Sequence, residues 1–230
     1  MKTNMKKIIM TALVALLAAP CFAQIEDAVY TSPSGKFTVD IIGHFGAGYH
    51  FVNTEDFQPS SASEFFMNIV KFGVYPVEHL GLEAGVDMQF NNFVSKESAF
   101  AQVDGLIKPV NFSTLGFGDS FDRKSGSINV FGFGAPVMLK GIFDKFQIGV
   151  GAVASWNISG DTDAYLRKDN RSLTYREDKA KVNPFSYGLM AMLGYGAFDV
   201  YFKYYPKSVR ILPEGSIDMS YMTVGIALGL

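Results

Sequence analysis

A strict two-residue period runs through long parts of this chain, and few folds tolerate it. In Phe37 to Phe51 the odd positions are Phe37, Val39, Ile41, Gly43, Phe45, Ala47, Tyr49 and Phe51, and the even ones are Thr38, Asp40, Ile42, His44, Gly46, Gly48 and His50. Successive strand side chains point to opposite faces, so this is a strand with one apolar face and one polar or small face. Leu80 to Phe93 repeats the pattern, with Glu83, Asp87 and Gln89 opposite Leu82, Val86 and Phe90. Phe146 to Ile158 repeats it again, Val153 being the one apolar residue on the polar face. Met222 to Leu230 closes the chain in the same way. Four less pure segments read as strands: Glu64 to Tyr75, Ile128 to Lys140, Pro184 to Tyr195 and Phe198 to Tyr205. In Glu64 to Tyr75 both faces are apolar, and Asn68 and Lys71 compete for the polar side.

The eight predicted strands are joined alternately by long and short connections. The short ones are Pro76 to His79, Gly141 to Lys145 and Gly196-Ala197; the long ones are about 52–63, 94–125, 159–183 and 206–219. Membrane barrels have tight periplasmic turns and longer external loops. Charge gathers in the long connections, as in Lys96, Glu97, Asp119, Asp122, Arg123 and Lys124.

Alternation does not say which face is inside. Three features favour an apolar exterior. Aromatic residues sit at the ends of the apolar faces (Phe37, Phe51, Phe90, Phe146, Trp156, Tyr195 and Tyr204), as two interfacial girdles require. Several strands are far longer than the mode of about 5–6 residues in globular proteins. The polar faces are rich in glycine and sparse in charge, which suits a narrow interior filled by side chains. Charges inside must be paired. Asp40, His44, Glu83, Asp87, Asp199 and Lys203 are therefore expected to form an interior polar cluster, the carboxylates facing Lys203 and Lys71.

The start of the chain carries Lys2, Lys6 and Lys7, then an apolar run from Ile8 to Ala19 broken only by Thr11, then Pro20 and Cys21-Phe22-Ala23. This is the order of a secretory signal peptide, predicted as 1–23. A short periplasmic segment, 24–35, and a barrel, 36–230, would follow. Cleavage removes the only cysteine, and with it any disulfide or thiol chemistry. It also removes three of 20 basic residues and none of 22 acidic ones. The mature chain is acidic and offers no surface for nucleic acid.

The stretch "FGFGAPVMLKGIFDKFQIGVGAVASWNISG" resembles the bacterial outer membrane protein β-barrel domain family, the small "porin family" barrels common in Bacteroidetes. The likeness lies in an aliphatic-Pro-aliphatic-Leu-Lys strand, Ala135 to Lys140, then a short aromatic turn and the glycine-rich strand around Gly149-Val150-Gly151. The strand plan extends it over about 36–230. The resemblance implies an all-β, eight-stranded, antiparallel up-and-down transmembrane barrel in the outer membrane. Its partners would be outer membrane lipid, lipopolysaccharide and the barrel assembly machinery. The residues themselves are read as a monomeric barrel with no cofactor and no catalytic site, and eight strands leave no wide pore.

Gly149 to Ala154 fits a degenerate dinucleotide pattern, but within a strand it lacks the helix N-terminus such a site needs. His44, His50 and His79 show no spacing for a metal. Some outer membrane barrels modify lipids with His, Ser and Asp at the external rim. Here His50 with loop residues such as Asp56, Ser95, Asp119, Ser120 and Asp161 gives that alternative. Another is adhesion or ligand binding through loops 94–125 and 159–183, the first carrying Phe100, Phe112, Phe117 and Phe121. A soluble lipocalin-like periplasmic binding barrel, with the faces reversed, is the rival architecture. The glycines of the polar faces are expected to permit barrel curvature.

Overall fold

In the computed structural model, residues 29–31, 36–41, 43–115, 121–169, 171–207 and 211–229 are described. The predicted signal peptide lies outside them. The described residues are almost wholly strand: β1 (Val29–Thr31), β2 (Phe37–Ile41), β3 (His44–Thr54), β4 (Pro59–Val77), β5 (Leu80–Ser95), β6 (Ala99–Val103), β7 (Leu106–Val110), β8 (Arg123–Phe143), β9 (Phe146–Lys168), β10 (Arg171–Ala180), β11 (Phe185–Tyr195), β12 (Phe198–Tyr205) and β13 (Met219–Gly229). A 3-10 turn, Phe112–Leu115, follows β7.

Neighbours pair antiparallel in chain order, and β13 returns to pair with β3, closing a ring of eight positions. The first position is shared by β2 and β3, both of which pair with β4. β13 covers only β3, and the other edge of β2 is taken by β1, with Val29 opposite Asp40. Closure of this kind leaves no long unpaired edge in the ring.

The connections at one end are short. β8 and β9 turn through Asp144-Lys145, with Asp144 at a φ of 54°, and β11 and β12 turn through Gly196-Ala197, with Gly196 at 61°. Positive φ at the first turn residue suits a two-residue hairpin. At the other end the strands run beyond the ends that their periodicity predicts. β8 and β9 stay paired up to Arg123 and Arg167, and β10 pairs back onto β9, so most of 159–183 is a sheet standing above the ring. Within 94–125, β6 and β7 form a separate hairpin across Asp104-Gly105, both residues at positive φ (52° and 77°).

Two of the register shifts, both mid-strand, set the phase of the interior. In β4 the pairing with β5 shifts between Asn68 and Val70. An extra residue reverses the alternation beyond it. Ala62, Glu64, Phe66 and Asn68 point inward on one side of the shift, and Lys71, Gly73 and Tyr75 on the other. Asn68 and Lys71 therefore do not compete for the interior; both occupy it. In β9 the register shifts between its pairs with Phe131 and Gly132. Val153, Ser155 and Asn157 are buried below, and Gly160, Thr162, Ala164 and Leu166 above.

The apolar faces point outward. Phe37, Phe51, Phe90, Phe146, Trp156, Tyr195 and Tyr204 are all exposed, and Trp156 keeps 55% of its surface. The polar faces are buried, with Asp199 and Lys203 at 0%. This is the reverse of a soluble barrel. Several inward glycines leave the space that a large interior side chain fills. A Cβ on Gly46 would lie 2.0 Å from the Phe66 ring, and one on Gly134 1.9 Å from Gln89 Nε2. A Cβ on Gly48 would lie 2.5 Å from the Tyr201 hydroxyl, and one on Gly225 2.4 Å from Tyr201 Cζ.

Candidate functional site: the packed interior and the outer rim

The interior is a stack of paired polar groups under an apolar cap. Nearest the short turns, Glu83 on β5 accepts hydrogen bonds from the Tyr75 hydroxyl and from Lys140 Nζ, the latter at 3.2 Å. Beside it, Lys71 Nζ lies 3.2 Å from Asp40 and 3.3 Å from His44 Nδ1. His44 Nε2 lies 3.5 Å from Asp199, which accepts a 2.8 Å hydrogen bond from Gln147. At mid-height Lys203 donates to Glu64, and its ammonium sits 4.6 Å from the centre of the Phe66 ring and 5.2 Å from that of Tyr201. A buried ammonium between a carboxylate and two ring faces has its charge matched on several sides. Asp87 accepts a 2.8 Å bond from Asn68, and Ser155 donates to Gln89 at 3.1 Å.

Above this layer His50 Nδ1 is 2.7 Å from Thr223 Oγ1, and its ring stacks on Phe93. His50 is 1% exposed, so it is sealed inside rather than open at a rim. Higher still, Phe57, Phe100, Ile107, Ile211, Leu212 and Ile217 from the long connections pack against Ile128, Val130 and Val153 of the wall. That cluster gives Val153, the one apolar residue on the polar face of its strand, its place. His79 lies in a turn, with Nδ1 3.0 Å from the Ile142 carbonyl. Among the described residues no three His, Asp or Glu side chains converge as a metal would need.

The six residues expected to cluster are all on the inner side, but they do not converge on Lys203. Asp40, His44 and Asp199 group with Lys71, Glu83 pairs with Lys140, and Asp87 binds Asn68. The partner of Lys203 is Glu64, which periodicity does not single out because β4 is apolar on both faces. Its signal is parity with Phe66 and Asn68. Lys140 was missed although it alternates with the outward Val137 and Leu139.

On the outer face the wall changes character above the aromatic level. The Phe90 and Phe131 rings meet tilted, with centroids 4.8 Å apart, and two residues further along their strands stand Asn92 and Asn129. Asn92 donates to Asn129, which donates to Asp161 at 2.6 Å and Asp163 at 2.9 Å. Arg176 on β10 donates to Asp161 at 2.9 Å and lies 2.9 Å from Asp178. This polar ladder ties β5, β8, β9 and β10 together. Burial and the neighbouring Asp161 charge hold the Asp163 carboxyl above the usual carboxylate range, against the opposing pull of Arg176.

No family model matches the chain, and no curated protein matches it. Among solved structures it is similar to Neisserial surface protein A, with 12% identity and a TM-score of 0.35 over 84% of this chain and 97% of that one. It is similar to Ail, the attachment invasion locus protein of Yersinia pestis, with 8% identity and a TM-score of 0.33 over 85% of this chain and 98% of that one. It is also similar to the outer membrane protease OmpT from Escherichia coli, with 13% identity and a TM-score of 0.39 over 85% of this chain and 80% of that one.

Proposed function

We propose that this chain is an outer membrane β-barrel that crosses the bilayer with eight strands and has a structural or surface-interaction role, without a wide pore or catalytic chemistry of its own. The observation that carries the reading is the inversion of its faces. A continuous belt of Leu, Val, Ile and aromatic side chains is exposed, while Asp, Glu, Lys and His are buried and paired. In water such an exterior would be an aggregation hazard; in hydrocarbon it is the expected surface. The dimensions agree. β11 is apolar on its outer face along all 11 residues, and a tilted spanning strand needs about 9–11. The short turns lie on the periplasmic side in this reading, and the β6–β7 hairpin and the β8–β10 sheet outside. The filled interior and its apolar cap argue against a wide channel. Insertion by the barrel assembly machinery and life as a monomer among lipid and lipopolysaccharide belong to the same reading, as does the likeness of Phe131 to Ile158 to the Bacteroidetes porin family.

Fractionation followed by gel analysis tests it. The mature protein is expected in outer membrane extracts, with a compact, faster band when unboiled and a slower one after boiling. A soluble periplasmic protein with no shift would overturn it. A surface-binding role is favoured by the outer sheet, which the Asn92 to Asp178 ladder holds rigid. Loops on rigid scaffolds commonly carry function. Removing 96–122 is expected to abolish adherence to host surfaces while the band shift persists; unchanged adherence would sink that role.

A further inference from the structure

The sheet above the ring ends on an open edge. Among the described residues β10 pairs with β9 alone, and Arg171 to Arg176 are all exposed. Lys168 and Arg171 close the β9–β10 hairpin. The closing pair of a two-residue hairpin exchanges both backbone hydrogen bonds, as does every second pair after it. Leu173 and Tyr175 therefore bond to Leu166 and Ala164, and the backbone N–H and C=O groups of Ser172, Thr174 and Arg176 point away from β9. Exposed edges are commonly blunted by a bulge. Here one comes only at the foot, where the register shifts between Asp178 and Ala180 and Lys179 takes a φ of 71°. The side chains are equally unfinished. On the inner face Leu166 is buried in a cluster with Ala99 and Phe112, while Leu173 directly opposite keeps 46% of its surface. Next on the same face, at the tip, Lys168 stands opposite Arg171, and like charges so placed destabilise the pairing.

We infer that this edge binds an extended segment of another polypeptide by strand addition, and that the segment carries alternate apolar residues ending in a carboxylate. The inference deepens the surface-binding reading above and rests on it. Backbone groups repeated along an open strand are matched by another extended backbone, which supplies the affinity, while alternate side chains supply the selectivity. Antiparallel pairing sets residues of the guest across from Tyr175, Leu173 and Arg171 in that order. An apolar side chain beside Leu173 continues the inner apolar layer, and a carboxylate beside Arg171 offsets the repulsion from Lys168. A second copy of this chain fits less well. Two barrels inserted the same way round would meet with their β10 strands parallel, the weaker pairing, and with Arg171 against Arg171.

The test uses the full mature barrel in neutral detergent and a fluorescent, end-capped peptide, Thr-Val-Thr-Val-Thr-Glu-Thr, with binding read by anisotropy. In antiparallel register its second valine lies across from Leu173 and its glutamate across from Arg171. Two further peptides carry N-methyl groups. In one they block the second and third threonines, whose N–H groups face β10; in the other they block the two valines, whose N–H groups face away. The parent and the valine-methylated peptide are expected to bind, and the threonine-methylated one at least about tenfold more weakly. Thr174→Pro deletes an N–H on the open edge and none of those bonded to β9, and should weaken the parent peptide by a similar factor. Arg171→Glu should reverse the preference between the parent and a peptide with Lys in place of Glu. Should the proline variant lose the unboiled band shift, the methylated pair and Arg171→Glu carry the test. No binding of the parent, equal binding of the two methylated peptides, or a wild-type dimer that Thr174→Pro dissolves would overturn the inference. Binding as expected without a band shift in the wild type would support strand addition and overturn the outer membrane reading.

Discussion

Lys203 and Glu64 show how single residues hold the interior. Both are fully buried, and each is the other's ion-pair partner. Removing one member of a buried pair strands the other, at about 3–5 kcal/mol, whereas replacing both with apolar groups of similar size is often near neutral. Lys203→Met is expected to destabilise the refolded barrel in that range, and Lys203→Met with Glu64→Leu far less, as read by urea unfolding in lipid vesicles. Equal losses for the single and double variants would contradict the pairing. Gly48 tests the seating of Tyr201. Gly48→Ala places a methyl 2.5 Å from the Tyr201 hydroxyl and 2.7 Å from Thr223 Cγ2, so it should cost about 1–3 kcal/mol, partly recovered by Tyr201→Phe. At this scale the alternation marked which residues face inward, Asp199 and Lys203 among them. It could not mark their partners, because pairing depends on register between strands and on side chains that reach across the ring.

Bulges and hairpin extensions decide the elements. The shift at Asn68/Val70 was invisible in sequence because Ile69 is as good a strand residue as its neighbours. It showed only as a strand with no clean polar face. The sheet above the ring was hidden for a related reason. Asp161 to Lys181 is dense in charge, and charge reads as loop, yet the carboxylates of β9 face Arg176 of β10 across the strands. The titration of Asp163 tests this element. Its carboxyl binds a proton more readily folded than unfolded, so its contribution is fully present below the unfolded value and is lost as pH rises through the higher folded one. Arg176→Gln removes a cation that opposes the shift. The variant should titrate Asp163 at still higher pH by NMR, and its β9–β10 amides should exchange faster at neutral pH. An unmoved titration would mean that the ladder does not form.

At the scale of the whole molecule, eight strands, ring closure and an apolar exterior were readable from alternation, aromatic placement and connection lengths. The apolar cap was not, because Phe100, Ile107, Ile211 and Leu212 lie in segments with no period. If the proposed outer membrane placement holds, a charge in the outer belt is costly only at membrane depth. Val150→Arg, on the exposed face of β9 in mid-belt, should destabilise the barrel in vesicles by about 2–4 kcal/mol, and Tyr165→Arg, on the sheet above, by less than about 1. Equal effects would place both residues in water.

Trp156 reports on the central claim directly. It is the one tryptophan in the chain, and it stands exposed on the outer face beside Phe133 and Phe185. The measurement is its fluorescence in the barrel refolded into vesicles whose acyl chains carry bromine. An apolar face turned to lipid predicts strong quenching by the brominated chains and little by acrylamide from water. Quenching by acrylamide alone would put that face in solvent and contradict the inverted barrel.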